Sequence, residues 1–135
     1  MSQANKATAG RWTEEIWNKG NFAALNELVA TDIVFHTGES DLRGHKGLQE
    51  FATALRGAFP DGRFTNIEQI AEGDKVVLRW SFSGTHKGEW HGVAGTGKAV
   101  TFTGTTTLRI ASGKVAEHWA HWDALGFLKQ VGKTL

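Results

Sequence analysis

The sequence predicts an α+β fold in which helices come first and a meander of long antiparallel strands follows. Three observations predict it. Apolar residues recur at helical spacing through the first part of the chain. The second part holds four β-rich stretches separated by short turn signals. No internal repeat or low-complexity linker divides the chain, so its 135 residues, 40% of them hydrophobic, suit one domain over 1–135 with a real core.

Taken in order, residues up to Thr13 are polar and begin a helical pattern, and Trp12, Ile16 and Trp17 continue it until Asn18 to Gly20 break it. Asn21 is placed to cap a shorter helix carrying Leu25, Leu28 and Val29. Asp32 to Thr37 reads as a short strand and Gly38 to Gly47 as a loop. Leu48, Phe51, Ala52 and Leu55 then trace one face of a third helix, ended by Gly57 and Pro60. The strands follow: Arg63 to Ile70, Lys75 to Thr85, Lys98 to Ile110 and Lys114 to Trp122. Glu72-Gly73-Asp74, the glycine-rich Gly88 to Gly97 and Ser112-Gly113 join them as hairpin turns. Ala124 to Val131 forms a last helical turn or two, stopped by Gly132. A curled sheet wrapped on helices leaves one open mouth, and ligands favour such concavities.

Composition narrows the function. Net charge is only +1 with no basic run, so nothing electrostatic recommends nucleic acid or an anionic membrane as a partner. The absence of cysteine removes disulfides, thiolate catalysis and sulfur metal ligands together, and makes a cytoplasmic location the expectation. The polar start has no apolar core of a signal segment, and no apolar run is long enough to cross a bilayer. A soluble, unprocessed protein is expected. With six tryptophans, eight phenylalanines and no tyrosine, the aromatic surface offers indole N–H groups but no phenol.

The chemistry-bearing residues cluster late in the chain. In the run Glu117 to Asp123, strand alternation puts Glu117, Trp119, His121 and Asp123 on one face, a mixture suited to a small acid/base pocket and costly as mere filling. Asp123 could be a desolvated general acid/base, or the N-cap of the helix that starts at Ala124; the spacing favours neither. His36 ends the first strand beside a loop, a position shared by catalytic and packed histidines alike. Trp80, Phe82 and His86 share a face, giving an aromatic wall with an imidazole at its rim. His118 and His121 fall on opposite strand faces, so no metal site is expected. Gly92 to Ala99 approaches a phosphate-binding loop, but Ala99 replaces the hydroxyl residue and a strand follows where a helix is required. No serine elbow is present, so a covalent intermediate is not expected.

Phe35-His36, Gly44 to Pro60-Asp61, Gly84-Thr85-His86-Lys87-Gly88, Gly92-Val93, Thr96-Gly97-Lys98, Gly113-Lys114-Val115 through Asp123, and Gln130-Val131-Gly132 together resemble the SnoaL-like polyketide cyclases of the NTF2-like superfamily. The similarity runs from about Trp12 to Gly132. It implies an NTF2-like, cystatin-like cone of curved antiparallel sheet closed by N-terminal helices, a homodimer, and ring closure by intramolecular aldol condensation without metal or cofactor. The family's acid/base aspartate falls on Asp123 and its pocket histidine on His36, with His86 or His121 assisting at the enolate. The apolar carbonyl ligand is then expected among Trp12, Phe35, Phe51, Trp80, Phe82, Trp90, Phe102 and Trp119. The family's loop usually has prolines where this chain has Ala94-Gly95. Relatives that use tyrosine, such as ketosteroid isomerase-like, scytalone dehydratase-like and limonene epoxide hydrolase-like proteins, fit a tyrosine-free chain poorly. The alternative is a non-catalytic cone that binds a small molecule or a protein.

Overall fold

Helices pack into the hollow of a six-stranded sheet, and the sequence dictates which face of each element turns inward. The computed structural model describes residues 2–38 and 40–133. The polar helix α1 (Ser2–Arg11) continues directly into a wider π-helical segment (Trp12–Asn18) that buries Trp12, Thr13, Ile16 and Trp17. The wider winding turns two adjacent pairs of residues toward the core. Its end is closed by Arg56, whose guanidinium donates to the Asn18 carbonyl at 2.9 Å and the Trp17 carbonyl at 3.3 Å. Gly20, at φ +65°, makes the turn that follows, and a side chain there would strike Arg56. Asn21 does not cap the next helix. Its amide reaches back to Glu15 at 3.2 Å, and a short 3-10 turn (Phe22–Ala24) leads into α2 (Leu25–Leu28).

The first strand, β1 (Val29–His36), begins earlier than Asp32, and the expected loop contains a short strand, β2 (Asp41–Arg43). Helix α3 (Gly44–Ala58) buries Leu48, Ala52 and Leu55 along one stripe, with Phe51 half-buried beside them. Strands β3 (Arg63–Glu72), β4 (Lys75–Thr85), β5 (Ala99–Ala111) and β6 (Lys114–Trp122) follow the sequence reading closely, and α4 (Ala124–Gln130) closes the chain. Among the described residues, no helix is long and apolar enough to cross a membrane.

Strand order is β2-β1-β6-β5-β4-β3. The sheet is mixed, which corrects the all-antiparallel expectation: β1 lies parallel to β6, with Phe35 opposite His118 and His36 opposite Trp119. Alternation in a single strand carries no information about the direction of a neighbour so distant in sequence. Register shifts in the β1–β6, β3–β4 and β5–β6 pairs bend the sheet into a cone. Gly104 serves the same end. A side chain there would press on the Trp80 indole and come within 2.5 Å of the His121 carbonyl oxygen.

Each strand therefore has an inner and an outer row. Trp80, Phe82, Phe102, Leu108 and His118 are buried on the inside. On the outside Ile70, Val77, Thr107, Trp119 and His36 stand abreast across five strands, from β3 to β1. Ile70 and Val77 are exposed there.

Candidate active site

The cone holds a cavity of about 110 Å³, measured as the room open to the centres of water-sized spheres. Trp12 and Trp17 enter from the π-helical segment, Phe51 and Leu55 from α3, and Phe35 from β1. The sheet supplies Phe64, Leu78, Trp80, Phe102 and Trp122. Edge-to-face contacts lock these rings: Trp12 to Trp17 at 5.7 Å, Phe35 to Phe51 at 5.1 Å, and Phe64 to Trp80 at 5.0 Å between centroids. The walls are mostly apolar.

The segment after β4 completes them. It is tied to the end of α3, where Lys87 and Gly88 N–H groups both donate to the Ala58 carbonyl, at 2.8 and 3.1 Å. It is pinched shut where the His86 N–H donates to the Lys98 carbonyl at 2.9 Å and the Gly97 N–H to the His86 carbonyl at 2.7 Å. Its tip brings Trp90 against Phe51 and Phe59, and lays His91 on Trp122 at 4.8 Å. Both Trp90 and His91 line the cavity.

Polar groups are few in this lining. Trp80 donates its indole N–H to Thr106 Oγ1 at 2.9 Å. Asn66 Nδ2 donates to Thr13 Oγ1 at 3.0 Å. Three buried atoms of lining residues have no hydrogen-bond partner among the described residues: Asn66 Oδ1, Trp90 Nε1 and His118 Nδ1. His118 lies with its ring stacked on Phe35 at 4.0 Å and beside Trp12 at 5.6 Å. Burial pushes its pKa down to about 3, because an imidazolium would be stripped of water there. At neutral pH it is an uncharged imidazole in an aromatic box.

Four catalytic assignments made from sequence fall outside the cavity lining. Glu117, Trp119, His121 and Asp123 do share one face, but it is the outer one, which corrects the expectation of a pocket among them. The inner residues of β6 are His118, Ala120 and Trp122. Asp123 is exposed, and its Oδ1 accepts the Gly126 N–H at 2.8 Å as the N-cap of α4. With His121 it edges an open outer groove that also holds Arg79, Thr103 and Thr105. The enclosed carboxylate expected here is therefore absent at Asp123. His36 also faces outward. It lies on Trp119, with Nδ1 2.6 Å from Asp41 Oδ1 and Nε2 2.8 Å from Glu117 Oε2, and Glu117 in turn accepts from Arg109 at 3.3 Å. The hydrogen bonds to Glu117 and Asp41 raise its pKa.

His86 is wholly buried, not at a rim. It sits between Phe59 and Phe127 with Nδ1 3.1 Å from Thr96 Oγ1, and braces the base of the glycine-rich segment. Of the ligand-contacting residues expected from sequence, Trp12, Phe35, Phe51, Trp80, Trp90 and Phe102 line the cavity. Phe82 packs behind them on Phe64 and Phe102, and Trp119 is on the outer face. His118, Asn66 and Trp122 were missed. The signal for His118 and Trp122 was the step His118-Ala120-Trp122, in which a small residue between two large ones leaves room for a hollow.

A model of the SnoaL-like polyketide cyclases matches residues 7–131. Among solved structures, a candidate polyketide cyclase from Acidithiobacillus ferrooxidans is 31% identical, with 97% of this chain and 96% of that one covered and a TM-score of 0.84. AclR, a candidate hydroxylase from Streptomyces galilaeus, is 27% identical over all of both chains, with a TM-score of 0.86. IdmH, a candidate polyketide cyclase from Streptomyces antibioticus, is 29% identical over 95% of this chain and 98% of that one, with a TM-score of 0.82. No curated protein matches the chain.

Proposed function

Because the chain belongs to the SnoaL-like polyketide cyclase family, we propose that it is a cyclase, or a related lyase or isomerase, acting on a small, mostly apolar carbonyl compound held in the aromatic cavity. In this reading the reaction is proton transfer assisted by hydrogen bonds, and needs neither metal nor organic cofactor. The observation that carries it is His118, an uncharged imidazole with a buried, unpartnered nitrogen, lining a mostly aromatic cavity.

The chemistry follows from that environment. A C–H bond beside a carbonyl loses its proton to His118 Nδ1, leaving an enolate next to the new imidazolium. Burial that disfavours a lone imidazolium does not disfavour this pair, since each charge supplies the counter-ion the other lacks. The enolate carbon attacks a second carbonyl of the same molecule, a C–C bond forms, and the resulting alkoxide takes the proton back from His118. Phe35 beneath the ring fixes its plane, and the aromatic walls exclude water that would compete for the proton.

A second reading keeps Asp123 as the acid/base group, as the family resemblance implies. It is favoured by the adjacent Trp122, which borders both the cavity and the outer groove. Asp123 would have to release the Gly126 N–H to reach the ligand.

Exchange of the α-protons of a tetralone in D2O, followed by mass spectrometry, tests both readings without knowledge of the natural substrate. His118→Phe is expected to reduce the exchange rate about 10²–10⁴-fold, the usual worth of a positioned base. Asp123→Asn, which preserves an N-cap, is expected to leave it unchanged. The opposite pattern would transfer the role to Asp123. Tetralone binding with no exchange above background would favour the non-catalytic binding module. A homodimer formed through the outer sheet and a cytoplasmic location belong to the same reading, supported by the exposed Ile70 and Val77 and by the cysteine-free composition.

A further inference from the structure

The stack of His118 on Phe35 has a counterpart on the other side of the sheet. Around it, β1 and β6 pair over only three consecutive positions: Val34 with Glu117, Phe35 with His118 and His36 with Trp119. A register shift separates these from the pair Val29 with Val115. So short a parallel ladder, next to an irregularity, fixes its register weakly.

Side chains supply what the ladder lacks. Phe35 and His118 line the cavity, and their rings lie 4.0 Å apart with 23° between their planes. The residues next to them in the chain, His36 and Glu117, face outward and join across the same two strands, His36 Nε2 to Glu117 Oε2 at 2.8 Å. The two contacts sit on opposite faces at adjacent positions, so a slide of β1 along β6 that breaks one displaces the other. The outer contact is itself anchored on both sides. His36 Nδ1 is 2.6 Å from Asp41 Oδ1 of β2 and its ring lies over Trp119 at 5.5 Å, while Arg109 of β5 donates to Glu117 at 3.3 Å. Burial lowers the His118 pKa most, and charge on His36 lowers it further, so the two faces are in electrostatic contact through the sheet.

We infer that His36 and Glu117 are positioning residues for His118: their contact on the outer face holds β1 and β6 in the register that seats the imidazole on Phe35. Neither touches the ligand or exchanges a proton with it. A misplacement of about 1 Å at a reacting group costs up to about 10²-fold in rate, so a clamp behind the sheet is felt at the site it never contacts. The inference rests on His118 being the base, as proposed above.

Two readouts test it, and one is independent of activity. The ring-proton NMR signals of His118, identified as those missing from His118→Phe, carry the ring-current shift of the stacked Phe35. Glu117→Ala is expected to move them toward the values of an unstacked imidazole. The same variant is expected to lower kcat for tetralone α-proton exchange about tenfold, with KM little changed, at a temperature where it is fully folded. Glu117→Gln keeps an acceptor for the His36 N–H and is expected to restore both readouts. His36→Leu removes the other partner, is expected to act as Glu117→Ala does, and replaces it if that variant fails to fold. A purely structural role would lower Tm but leave the ring signals in place and kcat per folded molecule at the wild-type value, and that result would overturn the inference. Moved signals with an unchanged kcat would uphold the clamp and remove His118 as the base, so the two readings fail separately.

Discussion

His118 shows what a single side chain does when the sheet turns it inward. Its folded pKa of about 3 lies below the ordinary value of 6.5, so between those limits the unfolded chain binds a proton that the folded protein refuses. Its contribution to stability is fully present above about pH 6.5 and is lost as pH falls toward 3. Urea denaturation at a series of pH values is expected to show this as a slope approaching 1.4 kcal/mol per pH unit, absent in His118→Phe. The aromatic contribution to the cavity was legible in the sequence, because Trp12, Phe35 and Phe102 are apolar wherever they fall. The group proposed as acid/base was not. Alternation sorts β6 into two rows, but only the neighbours decide which row is inside, and carboxylate, imidazole and indole at Glu117, His121 and Trp119 proved to be the solvated row.

At the scale of elements, the outer cluster on His36 fastens four strands. Asp41 comes from the short β2, Glu117 from β6 and Arg109 from β5, while His36 ends β1. When the imidazole is protonated, each ring nitrogen donates to one of these carboxylates. The hydrogen bonds to Glu117 and Asp41 raise its pKa above 6.5, and that to His36 lowers the Glu117 value below 4.5. The histidine's share of stability is therefore complete below pH 6.5 and lost as pH rises through its folded value; the glutamate's is complete above pH 4.5 and lost on acidification. His36→Gln is expected to lower Tm most between pH 4.5 and 6.5, with the difference from wild type shrinking in more alkaline buffer. Thermal melts across that range check it. β2 itself escaped the sequence reading because three residues, paired only with the preceding β1, carry too little alternation to register.

Over the whole molecule, the cone and its order of elements could be read from turn signals and periodicity, whereas the parallel pairing of β1 with β6 depends on contacts between the two ends of the chain. The outer row matters at this scale. Ile70, Val77, Thr107 and Trp119 form one stripe across four strands, and exposed apolar stripes of this kind on soluble proteins mark association sites. Val77→Lys is expected to shift a wild-type dimer to a monomer at micromolar concentration in sedimentation, with the Tm of the isolated fold little changed. A monomeric wild-type protein would remove the outer sheet as an interface.

The loop between His86 and Lys98 contributes Trp90 and His91 to the cavity wall, and is hydrogen-bonded to the scaffold at its two feet and at the end of α3. Part of the cavity wall is thus written in a stretch of chain outside the sheet and helices. Exchanging this one excursion for another of similar length would redraw the inside of the vessel while its staves stayed in place, so a single architecture could serve many chemistries by changing its lid.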